Sequence, residues 1–172
     1  MPNNKIINGC IKIEKSAASI YKKLMKKFPD RKDFWNELFD DEISHLSFLK
    51  DVKALGLVDE IQKMDPSLSD AIINKTVKLA DDLNAKITAD SLSFKKALSM
   101  ALKFEESMAE TYTNKMIAHL ISCEDKPSYK KIVADEKKHI DKIKKMMKSI
   151  ERKGSRGQGS QGSSKKKNNK SY

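Results

Sequence analysis

The chain has 172 residues, enough for one well-buried domain, and is 38 % hydrophobic and 34 % charged with only six glycines and four prolines. This composition favours a helix-rich fold, and the two cysteines form no CxxC pair that would indicate a zinc-ribbon or rubredoxin-like module. No apolar run reaches the roughly 18 residues that span a bilayer, and the N-terminus lacks a signal-peptide pattern. The sequence therefore predicts a soluble, cytoplasmic protein without a membrane span.

Much of the net charge of +11 lies at the C-terminus. From Arg152 onward the chain has seven basic residues and no acidic one. The residues before Arg152 include 28 basic and 24 acidic ones. Residues 154–172 are rich in Gly, Ser and Lys without apolar periodicity, so we expect a disordered basic tail after a folded domain of residues 1–153. The tail is either a solvated extension or attracts nucleic acid or an anionic surface, although it lacks aromatic residues interleaved for base stacking.

Two amphipathic helices are predicted in the first half of the chain. The first spans about residues 4–28, and Glu14 is the only charged residue on its apolar stripe. The second follows Asp30, which we interpret as its N-cap, and has Glu42 and His45 on its apolar side. A carboxylate and an imidazole one turn apart on a buried stripe cost on the order of several kcal/mol unless a cation compensates them.

A long connection leads to the second half of the chain. Residues 56–92 contain a predicted short helix over about residues 69–87, and a link of this length can cross a bundle from end to end. Helix three begins within residues 91–93 and is expected to continue to Met116. Glu105 is the single carboxylate on the apolar stripe of helix three, as Glu14 is on that of helix one.

Helix four repeats the motif of helix two. It follows a turn at residues 122–127 and has Glu136 and His139 on its apolar stripe. The sequence DEISH at residues 41–45 therefore corresponds to DEKKH at residues 135–139, with an offset of 94 residues.

The stripe glutamates of helices one and three also match each other. Glu14 precedes Tyr21 by seven residues, and Glu105 precedes Tyr112 by seven, with an offset of 91 residues between the glutamates. Two antiparallel helix pairs with this pattern predict an all-α fold, an antiparallel four-helix bundle with a long crossover that contains a short helix between helices two and three. The polar side chains of the four stripes would then meet on an internal pseudo-twofold axis.

Four carboxylates and two imidazoles form a mixed oxygen and nitrogen ligand set, which suits a pair of first-row divalent ions such as iron or manganese. Four negative charges and two divalent cations also make such a buried site neutral. Cys10 and His119 are interpreted instead as a small core residue and a helix-end residue. The predicted metal ligands are Glu14, Glu42, His45, Glu105, Glu136 and His139.

The chain resembles the rubrerythrin branch of the ferritin-like superfamily. The resemblance implies that the six side chains bind two iron ions, with manganese as an alternative in one or both sites, and that Glu42 and Glu136 bridge the ions. It covers roughly residues 5–150 in layout. The segments that carry it are IKIEKSAASIYKKL, DEISH, ALKFEESMAETY and ADEKKH.

The resemblance also implies roles for residues beside the ligands. Asp41 and Asp135 look like the acids that orient a ligand histidine on the partner helix through its other ring nitrogen, and the alternative is a surface position beside the motif. Tyr21 and Tyr112 would donate hydrogen bonds to ligand carboxylates and take part in catalysis, and the alternative is core packing.

The implied activity is a redox reaction of a di-iron centre with O₂ or H₂O₂, as in peroxide or oxygen detoxification or a ferroxidase. Met108 stands where rubrerythrins have a further glutamate, and a rubredoxin-like module is absent, so a separate electron-donor protein and a plain six-ligand centre are expected. The expected assembly is a homo-oligomer, a dimer. The alternatives are an iron-storage or iron-handling protein, a di-iron hydroxylase acting on a macromolecule such as tRNA, and a binding or structural protein that retains the site.

Overall fold

The structure, a computed structural model, describes residues 5–55, 67–88, 91–122 and 126–157. Over these residues the chain is all-helical and has no strand, which confirms the predicted fold class at that level. None of the helices in these ranges is long and apolar enough to cross a membrane. The elements are α1 Lys5–Lys27, a 3-10 helix Pro29–Arg31, α2 Lys32–Ala54, α3 Ser67–Ile87, α4 Phe94–Thr113, α5 Lys115–Ser122 and α6 Lys126–Gly157.

Side-chain caps mark the start of α4 and the start of α5, which follows it directly. At the start of α4 the Ser93 hydroxyl accepts a hydrogen bond from the backbone N–H of Lys96 at 3.2 Å. At its end Asn114 has an extended backbone, with φ −61° and ψ 129°, and its side-chain oxygen accepts from the N–H of Ile117 at 3.4 Å, inside α5. The prediction that helix three continues to Met116 is therefore wrong, because asparagine favours capping over a helix interior.

Two other helix ends differ from the sequence prediction. Asp30 lies in the 3-10 helix that Pro29 begins, and α2 starts after Arg31 without a side-chain cap. Helix α6 continues to Gly157, beyond the expected start of the basic tail. Residues 158–172 lie outside the described residues, so the expected disorder of the tail and the boundary of the folded domain stay predictions.

The core is formed by the apolar faces of the long helices. α1 packs against α2 and α3, α4 packs against α3 and α6, and α2 also contacts α6. At one end of this core the rings of Tyr21 and Trp35 stack with centroids 5.8 Å apart, and Phe34 and Phe94 meet Trp35 edge to face. Rings packed in this way stabilise a core beyond the area that they bury.

Helix α3 lies against both halves of the chain. Gly9 on α1 lets it approach closely, because a Cβ at this position would be 2.6 Å from Cγ2 of Ile73. On its other side, the buried hydroxyl of Thr76 is 2.6 Å from the Ser107 hydroxyl and 3.0 Å from the Thr111 hydroxyl, both on α4. The crossover helix is therefore held to α1 by close packing and to α4 by satisfied buried polar groups.

Candidate metal centre

Four helices place a carboxylate in the interior of the protein. α1 contributes one glutamate, α4 contributes one, and α2 and α6 each contribute a glutamate and a histidine one turn apart. All six side chains are at most 2 % exposed, because each occupies an otherwise apolar stripe. They are Glu14, Glu42, His45, Glu105, Glu136 and His139.

These six side chains form two groups of four. The first group is Glu14, Glu42, His45 and Glu136, and the second is Glu42, Glu105, Glu136 and His139. Within each group, one ligand atom per residue lies within 4.8 Å of the others. Glu42 and Glu136 belong to both groups, which is the position that bridging carboxylates need. The groups have the size and the oxygen and nitrogen donors to hold a metal ion each.

The two histidines present the same ring nitrogen to the carboxylates. Nδ1 of His45 is 3.4 Å from Glu42 Oε2, 3.7 Å from Glu136 Oε1 and 3.8 Å from Glu14 Oε2. Nδ1 of His139 is 3.3 Å from both Glu42 Oε1 and Glu105 Oε2. Nδ1 is therefore the nitrogen of each ring that points toward a metal position.

The unpartnered atoms of the site test whether these residues fit a metal. Both oxygens of Glu42, both oxygens of Glu136, Oε2 of Glu14 and Nδ1 of His45 are buried without a hydrogen-bond partner. Buried carboxylates in this state are costly unless a positive charge compensates them. A divalent cation supplies that charge and takes oxygen and imidazole ligands, so the residues present fit a metal.

In the metal-free protein, protons supply part of the missing positive charge. Burial disfavours the charged form of both imidazoles, but the facing carboxylates outweigh it and raise the pKa of His45 to about 10 and that of His139 to about 11. Burial followed by neighbouring carboxylates raises the pKa of Glu14 and of Glu136 well above the ordinary range. Burial also opposes ionisation of Glu42, but its contacts with both histidines hold its pKa far below the usual range.

The other nitrogen of each histidine contacts an aspartate from the partner helix. Nε2 of His45 is 3.3 Å from Asp135 on α6, and Nε2 of His139 is 3.1 Å from Asp41 on α2. An aspartate at Nε2 fixes the ring orientation and leaves the Nδ1 lone pair for a metal. Sequence reasoning placed both aspartates in this position.

Each aspartate also contacts a lysine on its surface side, which the sequence analysis did not predict. Lys131 donates to Asp135 at 2.6 Å, and Lys138 donates to Asp41 at 3.3 Å. Burial raises the pKa of Asp135, but the hydrogen bonds from Lys131 and His45 outweigh it and lower that pKa below its usual value. Only the spacing of four residues between Lys131 and Asp135 on one helix could have indicated this pair from the sequence.

The two site tyrosines make crossed hydrogen bonds. The Tyr21 hydroxyl on α1 donates to Oε1 of Glu105 on α4, and the Tyr112 hydroxyl on α4 donates to Oε1 of Glu14 on α1. Tyr129 on α6, which the sequence did not single out, donates to the backbone oxygen of Tyr112 at 2.8 Å. The contacts predicted for the tyrosines are thus present, and their part in catalysis stays a prediction.

Other residues considered from the sequence lie outside the two groups. Cys10 is buried one turn before Glu14, and burial, followed by the charge of that glutamate, raises the pKa of its thiol. His119 is exposed on α5. Met108 is fully buried one turn after Glu105.

No family model, curated protein or solved structure matches this chain.

Proposed function

We propose that the protein is a ferritin-like, antiparallel four-helix bundle of α1, α2, α4 and α6 with a centre of two iron ions that reacts with O₂ or H₂O₂. The observation that carries this proposal is the sharing of Glu42 and Glu136 by two buried ligand groups. A single structural ion would need only one group of four. Two groups that share two carboxylates favour a pair of ions.

The charges of the ligand set support the choice of metal. Four carboxylates neutralise two divalent ions, so the buried centre has no net charge when both histidines are neutral. The donors are oxygen and imidazole nitrogen, which suit iron or manganese, and no cysteine belongs to either group. When bound, the iron ions supply the electrons for reduction of the oxidant.

Four of the six ligands have a neighbour that sets their orientation. Glu42 and Glu136 would bridge the ions, and the Nδ1 atoms of the histidines would bind one ion each. Tyr21 and Tyr112 donate to Glu105 and Glu14 and hold these terminal carboxylates in place. The aspartates at the Nε2 atoms keep both imidazoles in the tautomer that binds a metal.

The two aspartates also provide polar contact between the buried site and the surface. Asp135 is 13 % and Asp41 is 24 % exposed, whereas the histidines that they contact are almost completely buried. Each aspartate in turn contacts an exposed lysine. The aspartates therefore link the buried imidazoles through polar contacts to charged groups at the surface.

An anaerobic titration with Fe(II) tests the proposal. We expect two iron ions per chain, measured by equilibrium dialysis and metal analysis, and loss of both with Glu42→Ala. The matched control is Glu37→Ala, which removes an exposed glutamate from the same helix. Failure of the unchanged protein to bind iron would overturn the proposal.

The loaded protein then distinguishes the activities. Separate mixing with O₂ and with H₂O₂ under stopped flow gives the rate of Fe(II) oxidation by each oxidant. Retention of more iron than two ions per chain by a large hollow assembly would favour storage. Turnover with two ions per chain in a small oligomer favours the redox function.

A further inference from the structure

The positive charge of the chain is concentrated on α6 and the segment after it. Of the 35 basic and 24 acidic residues, 16 basic and 4 acidic ones lie from Lys126 onward. Residues 1–125 therefore have a net charge of −1, and residues 126–172 have a net charge of +12. α6 alone has 12 basic and 4 acidic residues, a net charge of +8, so the asymmetry is not confined to the C-terminal tail.

The basic residues of α6 include a stripe on its outward face. Glu136 and His139 point inward with the buried Ile132 and Ile143. The residues half a turn away from them are all exposed and contain one acidic side chain. This outward stripe consists of Lys130, Ala134, Lys137, Asp141, Lys145, Lys148 and Arg152.

The outward stripe differs from the flanks of α6 in its ion pairs. On the flanks, Lys131, Lys138, Lys142 and Lys144 each form an ion pair with a carboxylate. Within the described part of the chain, the five basic residues of the outward stripe have no ion-pair partner. Their charges are therefore available to an external anion.

The dimensions of the outward stripe favour a nucleic acid duplex. With a rise of about 1.5 Å per residue, Lys130 and Arg152 are about 33 Å apart, close to the length of one turn of a duplex. An anionic membrane is less favoured, because the large exposed hydrophobic residues of the described chain, Ile43 and Leu55, lie on or next to α2. Lysines act as point charges toward phosphates and do not read bases.

We propose that the outward stripe of α6 binds the phosphate backbone of duplex nucleic acid without sequence preference. The stripe lies on the side of α6 opposite to Glu136 and His139, so the metal ligands remain inside the protein when a duplex is bound. Binding does not require metal and is independent of the proposed redox function.

Salt dependence measures the proposed contacts directly. The full-length, metal-free protein is titrated into fluorescent duplexes of about 30 base pairs, one of DNA and one of RNA, and binding is followed by anisotropy between about 50 and 200 mM NaCl. The variant K130Q/K137Q/K145Q/K148Q removes four charges from the outward stripe. Each phosphate contact contributes about 0.9 to the slope of log affinity against log salt concentration. Loss of four contacts is therefore expected to reduce the ratio of the affinities at about 50 and 200 mM NaCl by about 150-fold relative to the unchanged chain.

A charge-matched variant of α1 provides the control. K12Q/K15Q/K22Q/K26Q also removes four exposed lysines that have no ion pair within the described chain. We expect it to retain most of the salt dependence, and circular dichroism checks that both variants are folded. Equal weakening by the two variants, or absence of duplex binding, would overturn the proposal.

Two further arms identify the anion. Binding to both DNA and RNA duplexes, or to one of them, supports the proposal and identifies the source of the phosphates. Vesicles containing phosphatidylserine are tested in parallel. Binding to these vesicles as tightly as to the duplexes would contradict a nucleic-acid surface.

Discussion

Replacing Glu136 by glutamine is expected to stabilise the metal-free protein and to abolish its stabilisation by metal. Glu136 is fully buried, and neither of its carboxylate oxygens has a hydrogen-bond partner. Burial, followed by the charges of Glu105, Glu42 and Glu14, raises its pKa well above the ordinary value of 4.5. Glutamine has nearly the same shape, no charge, and two N–H donors for the neighbouring carboxylates.

The magnitude follows from proton linkage. An acid whose pKa is higher in the folded than in the unfolded protein lowers the stability as the pH rises from about 4.5 to the folded pKa. The loss is about 1.4 kcal/mol for each pH unit in this window. The variant lacks this loss, so its advantage in the free energy of unfolding grows by about 1.4 kcal/mol per pH unit until the folded pKa is reached.

Urea unfolding of the metal-free protein in the presence of a chelator measures this difference at about pH 5, 6 and 7. The single tryptophan, Trp35, is fully buried and reports unfolding by its fluorescence. Urea unfolding is then repeated with Mn²⁺ in place of the chelator. At 100 times its Kd, a ligand that binds only the folded state adds about 2.7 kcal/mol of stability. We expect this increase for the unchanged protein and none for Glu136→Gln.

The matched control is Glu151→Gln on the same helix. The Glu151 side chain is 57 % exposed and pairs with Lys95 at 3.3 Å, so its loss is expected to change the stability by less than about 0.5 kcal/mol. Two results would refute the inference that the buried carboxylates repel each other. One is a Glu136→Gln protein that is no more stable than the unchanged chain, and the other is a gain in the free energy of unfolding that does not depend on pH.

Three other outcomes are expected. Without metal, His45 and His139 have pKa values of about 10 and 11, so binding of Mn²⁺ at about pH 8 releases at least two protons per chain. An indicator dye in weak buffer measures this release, and detection of fewer protons would contradict the prediction. Tyr112→Phe removes the donor to Glu14 and lowers metal affinity by about 10- to 100-fold in dialysis, whereas unchanged affinity would show that the contact is only structural. Gly9→Leu places atoms against Ile73 and lowers the free energy of unfolding in urea by about 1–3 kcal/mol. Asn8→Leu, at the exposed neighbouring position, is nearly neutral, and equal losses in the two variants would argue against a close contact at Gly9.

The positions of the site residues were predictable because each helix has a single apolar stripe. A charged residue on such a stripe is conspicuous, and the spacing of three in Glu42 and His45 and in Glu136 and His139 fixes their common face. Periodicity therefore identified all six residues of the two groups.

Features that depend on a competition between local conformations were not predictable in the same way. The break at Asn114 replaces a short piece of helix by a cap, and periodicity alone does not show which of the two is more stable. The lysines beside Asp41 and Asp135 were missed because exposed lysines are common on every helix. The close contact of Gly9 with Ile73 depends on how α3 crosses α1, which one-dimensional spacing does not define.

The crossed hydrogen bonds of the tyrosines make the two halves of the chain interdependent. Each glutamate of α1 and α4 receives its donor from the other half, and each ligand group contains residues from both halves. A protein cut between residues 88 and 91 would thus give two fragments that each lack part of both groups. Metal would promote reassembly of the two fragments, because only the reassembled pair offers a complete set of ligands.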